Sequence, residues 1–184
     1  MGSTKNPEIT LAFSSLVMER SAFDRDYLKP CQHTRECTAP LACFEGSCQI
    51  PPSIVGRVTP ETPTVRVTTD TGVHEIYLEI VDDDYTMQRG MMMRRTCLKN
   101  WGMLFVYPSE GYRSFWMHNT YLSLDMVFIR RDGSVSNVIA NIEPLNDVPR
   151  YESTDRVRYV LELPAGNAAE LGIRSGSKFD MMGI

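Results

Sequence analysis

Four of the chain's five cysteines, Cys31, Cys37, Cys43 and Cys48, crowd into one short segment with intervening gaps of five, five and four residues. Few large apolar side chains accompany them, so burial alone cannot hold the segment together, whereas covalent staples can. Two disulfides are expected. The rival chemistry is a zinc site, but zinc modules usually pair their ligands as Cys-x2-Cys or His-x3-His, and neither spacing occurs here. Paired thiols persist in oxidising places, which points to the periplasm, the cell surface or the outside of the cell. The fifth cysteine, Cys97, stands apart and reads as a buried thiol or as an odd cysteine open to an intermolecular bridge.

A second set of residues is conspicuous for its surroundings. Arg89, Arg94, Trp116, Asn119, Thr120, Asp125 and Glu162 lie in runs rich in Met, Phe, Val and Leu. A charge near a core must be paired or face a cavity. One reading makes these residues a ligand pocket, with Arg89 or Arg94 as a fork for a carboxylate or similar anion and Asn119 fixing its orientation. The other makes them structural: Arg89 pairs with Asp125 or Glu162, and Asn119-Thr120 closes a turn. Paired charges are the commoner solution, so the structural reading is preferred, and the seven stand as the candidate ligand site.

Catalytic and metal chemistry find less support. Eleven methionines, among them Met91, Met92, Met93, Met103, Met117 and Met126, together with His118 and Cys97, raise copper(I), which favours thioether and thiolate ligands. Met103, Met117 and Met126 fall inside apolar strand patterns, however, and are expected to fill the core. A Cys97–His118 nucleophile pair has no motif behind it. No catalytic residue, metal or cofactor is therefore assigned.

The elements that must position these residues follow from length and pattern. A chain of 184 residues holds one ordinary domain and a small module, and its 42% apolar and 23% charged content suits a packed core. The net charge of -4, with no Lys/Arg block, lacks the electrostatic drive for nucleic acid or anionic membrane. No run approaches the roughly 18 apolar residues of a membrane span. The start, Met1-Gly2-Ser3-Thr4-Lys5, carries no apolar signal core, which decides nothing about compartment. Residues 1–30 read as an arm, docking or mobile; 31–50 as the cysteine-rich module; 51–62 as an extended Pro/Thr-rich linker; and 63–184 as the main domain.

In that domain the apolar period is two. Val65, Val67 and Thr69 alternate with polar residues, a turn follows at Asp70-Thr71-Gly72, and Ile76, Leu78 and Ile80 share a face, which predicts a hairpin. The acidic residues 82–84 favour a short helix over 85–89, ended by Gly90. Strands are expected at 102–107, 113–118, 124–130, 135–142, 157–163 and 178–182, with a turn at 131–134 and a brief helix at 167–171. Seven or so short strands with little helix imply a mainly β fold, a small closed or nearly closed barrel.

Four blocks carry a resemblance: Arg89-Gly90-Met91-Met92-Met93-Arg94; Trp101 to Pro108; Phe115-Trp116-Met117-His118-Asn119-Thr120 with Leu124-Asp125-Met126-Val127-Phe128-Ile129; and Arg158 to Gly166. In order and spacing they resemble the bacterial and archaeal family catalogued as domain of unknown function number 192, over about residues 63–184. The resemblance implies a small β-barrel-like fold, often in exported proteins, and no established activity. His118 stands where that family usually has lysine and Ser123 where it usually has proline, while the cysteine module and Cys97 lie outside its pattern. The expected function is that of an exported accessory or binding protein, the barrel serving as ligand or partner surface and the cysteine module as dock, with a protein partner met through residues 1–60. Two alternatives are a small-ligand carrier or enzyme using Arg89, Asn119 and Asp125, and a subunit of a larger cell-envelope assembly.

Overall fold

The computed structural model describes Gln32, the backbone of residues 42–44 and 47–49, and residues 62–184. The chain divides into two units, Met1–Pro51 and Pro52–Ile184. In the first, strands β1 (Ala42–Phe44) and β2 (Ser47–Gln49) pair antiparallel. The arm at 1–30, the disulfides expected among Cys31, Cys37, Cys43 and Cys48, and the linker up to residue 61 lie outside the described residues and side chains.

The second unit is mainly β. Its strands are β3 (Thr64–Thr69), β4 (Gly72–Val81), β5 (Trp101–Gly111), β6 (Ser114–Phe115), β7 (Leu124–Ile129), β8 (Val135–Ile142), β9 (Tyr151–Glu152), β10 (Val157–Pro164) and β11 (Lys178–Asp180). Two short helices, α1 (Asp84–Arg89) and α2 (Asn167–Glu170), interrupt them. Seven strands form one sheet in the order β11-β3-β4-β5-β10-β7-β8. All neighbours are antiparallel except β4 and β5, which run parallel. A parallel pair cannot be joined by a tight turn, so residues 82–100, with α1 among them, cross over between the two strands. The Asp83 carboxylate accepts from the Tyr85 and Thr86 amides to start α1, and Gly90, at φ 49°, ends it.

The sheet curls until its edges nearly meet. The Val135 amide donates to the Ser177 carbonyl at 2.9 Å and the Phe179 amide to the Gly133 carbonyl at 2.8 Å, stitching the start of β8 to β11. Gly133 has φ 85°, and a Cβ there would lie 2.2 Å from the Phe179 carbonyl oxygen. The seam therefore needs glycine at this position. The result is the nearly closed barrel that the strand pattern predicts.

Alternation along the strands builds two apolar layers. Val65, Val67, Ile76, Leu78, Val127 and Leu161 belong to the cluster that fills the barrel interior, which α2 and its flank close with Ala168, Leu171 and Ile173. Met103, Phe105, Met126, Phe128 and Val160 face outward from the same central strands and are covered by Met91 and Met117, both buried, and by Phe115. Strands β5, β10 and β7 are thus buried on both faces, which is why they read as near-continuous apolar runs.

Three local expectations differ. The strand expected over 113–118 shrinks to β6, which pairs with β9, because Asn119 adopts φ 51° and the Thr120 amide turns back to the Met117 carbonyl. Ile80 is 37% exposed, and Val81 takes the buried position beneath the crossover instead. Strand β5 runs on to Gly111 past Pro108, which falls within the register shift opposite Val157 and Tyr159, where a missing amide costs no ladder bond.

Candidate functional site

On β10 the alternation sends Leu161 and Leu163 inward and Glu162 outward, in register with Met103 and Met126. The segment leaving α1 crosses directly over this carboxyl. A Cβ on Gly90 would meet the Phe105 ring at 3.2 Å and Glu162 Oε2 at 3.6 Å. Glu162 is only 4% exposed. The Met91 amide donates to its carboxyl, yet Oε2 has no hydrogen-bond partner among the described residues. Nearby, Arg94 Nη2 donates to Glu79 Oε1 at 2.6 Å. One guanidinium thus serves two carboxyls, and one of them has to go without a full counter-charge. Burial pushes Glu162 up to about 8, against the pull of Arg94 and of the Met91 amide. At neutral pH it therefore keeps its proton while Glu79 holds the ion pair.

Cys97 flanks this cluster. Burial pushes its thiol up to about 11, only partly offset by Arg94, and its Sγ donates to the Leu98 and Trp101 carbonyls at 3.7 and 3.9 Å. Such a thiol is a poor nucleophile. His118 is engaged elsewhere: its Nδ1 meets the Asp147 carboxylate at 3.1 Å and its ring stacks on Trp116 with centroids 4.7 Å apart. The two residues contact different groups and form no nucleophile pair. Met91, Met103, Met117 and Met126 are core residues. Among the described residues no group of three His, Cys, Asp or Glu side chains could hold a metal ion.

Asp125 lies on the other face of the sheet. It pairs in register with Leu163, an interior residue, and is wholly buried. Its Oδ1 accepts from the Asn141 amide and its Oδ2 from the Ala168 amide, each at 2.8 Å. The carboxylate therefore caps the first turn of α2 and fixes the left-handed backbone of Asn141 in β8. The expected pairing of Arg89 with Asp125 is not formed, because backbone amides occupy both oxygens and the sheet stands between Asp125 and the segment that follows α1.

The other candidates cluster more loosely. Thr120 is buried, its hydroxyl donating to the His118 carbonyl at 3.1 Å and its carbonyl accepting from the Leu145 amide at 2.9 Å. Asn119 is exposed and acts through its backbone, accepting from the Met93 amide at 2.7 Å. That bond joins the turn at 117–120 to the segment carrying Arg89 and Arg94. Trp116 is 39% exposed, with the Arg150 guanidinium 4.4 Å from its ring centroid. Of the seven candidates, six therefore lie on or beside the outer layer of the barrel, and Asp125 is separate. Arg94 and Glu162 belong to the buried polar cluster, and Asn119 and Thr120 to the turn.

A cleft that sequence reasoning missed opens at the barrel seam. It has a volume of about 570 Å³ and is lined by Arg131, Arg158, Lys178, Tyr159, Phe179 and Met182, among others. Two acids in it are already matched. Asp132 meets Lys178 Nζ at 3.3 Å and is held down to about 2, chiefly by the hydroxyl and amide of Ser134, while Asp180 meets Arg66 at 3.2 Å. Arg131 and Arg158 form no ion pair with any described residue. Arg158 Nη1 donates to the Pro108 carbonyl at 3.4 Å, its guanidinium lies 5.8 Å from the Tyr159 ring centroid, and its buried Nε finds no partner among them. These cations come from positions 131, 158 and 178, and only closure of the barrel brings them together. The one sequence signal is the Arg130-Arg131 doublet at the turn.

Residues 65–181 match the model of the family named domain of unknown function 192, described as "Uncharacterized ACR". Among solved structures, the chain is similar to a candidate transcription regulator from Sinorhizobium meliloti 1021, with 35% identity, 68% of this chain and 97% of that one covered, and a TM-score of 0.62. It is also similar to a protein of unknown function from Novosphingobium aromaticivorans DSM 12444, with 31% identity, 67% and 90% coverage, and a TM-score of 0.63. No protein of curated function matches it. The family match runs from β3 to just past β11, so the barrel, its seam and the buried Glu162 cluster all fall within it, and the chain belongs to this family of uncharacterised proteins.

Proposed function

We propose that the barrel is the non-enzymatic binding domain of an exported accessory protein, and that it meets its ligand or partner on its surface. The observation that carries this reading is the packing of the interior, where side chains from the strands and α2 form one apolar cluster, each at most 8% exposed. Among the described residues, the buried charged group on that side, Asp125, is spent on two backbone amides. A carrier or enzyme built on Arg89, Asn119 and Asp125 needs those groups to converge, and the sheet keeps Asp125 apart from the others. The assembly reading retains one supporting feature. Trp116, Leu145 and Val148, the last 79% exposed, sit on loops tied together by the Leu145 amide to Thr120 carbonyl bond, and such a patch suits a protein partner. Export rests on the dense cysteines.

Methyl-resolved NMR of the full chain against a panel of small anions, cations, sugars and peptides tests the reading. Shifts confined to surface groups are expected. A compound that displaces the Val127, Ile129 and Leu161 methyl signals would place a ligand inside the barrel and sink it. Nonreducing peptide mapping tests export: Cys31, Cys37, Cys43 and Cys48 are expected in two disulfides, and stoichiometric zinc, or four free thiols in protein from the native host, would count against it.

A further inference from the structure

We propose that the cleft at the barrel seam binds a small ligand carrying an oxyanion, carboxylate or phosphate, on a short apolar body. The inference deepens the surface-binding reading and rests on it. Its first support is charge. Of the charged residues in the cleft, Asp132 and Lys178 neutralise each other and Asp180 is matched by Arg66, which leaves the Arg131 and Arg158 guanidiniums in no ion pair among the described residues, the Glu110 carboxylate beside Arg131 accepting from its backbone amide at 3.0 Å. A guanidinium offers a planar fork of donors that fits two oxygens of one anion, and both arginines line the cleft.

The second support is shape and lining. At about 570 Å³ the cleft lies in the size range of small-molecule sites, and Met181 and Met182, with the edges of the buried Tyr159 and Phe179, add apolar surface to its lining. Met182 is 89% exposed, costly for so large an apolar side chain unless something covers it, and methionine adapts readily to an irregular partner. The third support is rigidity. Gly133 presses onto the Phe179 carbonyl and Asp132 is fixed by Ser134, so the turn that carries Arg131 is pinned to β11 and the guanidinium is presented from a fixed base.

The test uses the full chain and six-carbon probes: hexanoate and hexyl phosphate, with hexanol, hexyltrimethylammonium and inorganic phosphate for comparison. Both hexyl anions are expected to shift the Met181 and Met182 methyl signals saturably, and the tighter of the two identifies the head group. Arg131→Gln, at an exposed position, should keep the melting temperature and weaken hexyl-anion binding at least about fivefold, and Arg158→Gln should do the same. Lys99→Gln, which removes an exposed cation paired with Glu170 and outside the cleft lining, should change it less than twofold. Equal affinity for hexanol and hexanoate would overturn the proposal, as would equal affinity for inorganic phosphate and hexyl phosphate, or an Arg131→Gln protein that binds unchanged. If no probe moves these signals while another compound binds elsewhere on the surface, the cleft assignment fails and the broader reading stands. Binding inside the barrel would sink both.

Discussion

Glu162 and Asp125 are carboxyls on neighbouring strands, one register step apart, and the two-residue period of the sheet gives them opposite surroundings. Asp125 faces inward to two amide donors and stays within reach of full hydrogen bonding. Glu162 faces outward into a lid of Gly90 and Met91 with a single amide and a shared guanidinium, and burial raises it from 4.5 to about 8. A carboxyl raised on folding binds its proton more tightly in the folded chain than in the unfolded one. Its stabilising contribution is complete below about 4.5 and is lost as pH rises through about 8. Melting temperature is therefore expected to fall across that interval, and Glu162→Gln, a neutral isostere, should flatten the fall; an equal slope in the two proteins would show that another group governs it. Asp125→Ala strips two buried amides of their acceptor and should cost on the order of 3 kcal/mol in denaturant unfolding. In a double-mutant cycle with Arg89→Met the coupling should stay below about 0.5 kcal/mol, and a value above about 1.5 would restore the ion pair that the structure lacks.

At the scale of elements, the sequence announces whatever is local. The β3–β4 hairpin, α1 with its Asp83 cap and Gly90 stop, the turn at 131–134, β10 and α2 all follow from residues within a few positions of one another. What it conceals is partnership. The parallel pairing of β4 with β5 depends on a 19-residue crossover whose route is set by the layer it covers, and Ile80 and Val81 exchange roles because that layer buries Val81. The polar candidates are found by their apolar neighbours, but whether Asp125 joins Arg89 depends on register, and register is a property of two strands. The seam makes the same point and is testable. In Gly133→Ala the new methyl must displace the Phe179 backbone, so a loss of at least about 2 kcal/mol is expected, with faster amide exchange at Val135 and Phe179. Gly72→Ala is the control: φ there is 129° and no atom lies within 4 Å of the added carbon, so only the backbone term, on the order of 1 kcal/mol, should appear. Equal losses in the two proteins would mean that the seam is not a tight contact.

For the whole molecule, the division between Pro51 and Pro52 decides what can fold alone. Among the described residues, the interior cluster runs from Val65 to Phe179 and the outer cluster from Val81 to Val160, which motivates testing the barrel by itself. The seam bonds at 133–135 and 177–179 and the cap from Asp125 to Ala168 are likewise internal to this span. A fragment of residues 63–184 is expected to unfold in one cooperative transition, with a melting temperature within about 5 °C of the corresponding transition in the full chain. It holds a single cysteine, Cys97, whose raised thiol sits in the outer layer, so reductant should leave its transition unmoved. In the full chain reductant should act on the first unit alone, separating stability held by thiols from stability held by burial. A fragment that melts broadly, or that matches the full chain only when the cysteine-rich segment is added back, would show that the barrel borrows part of its core from residues before 63.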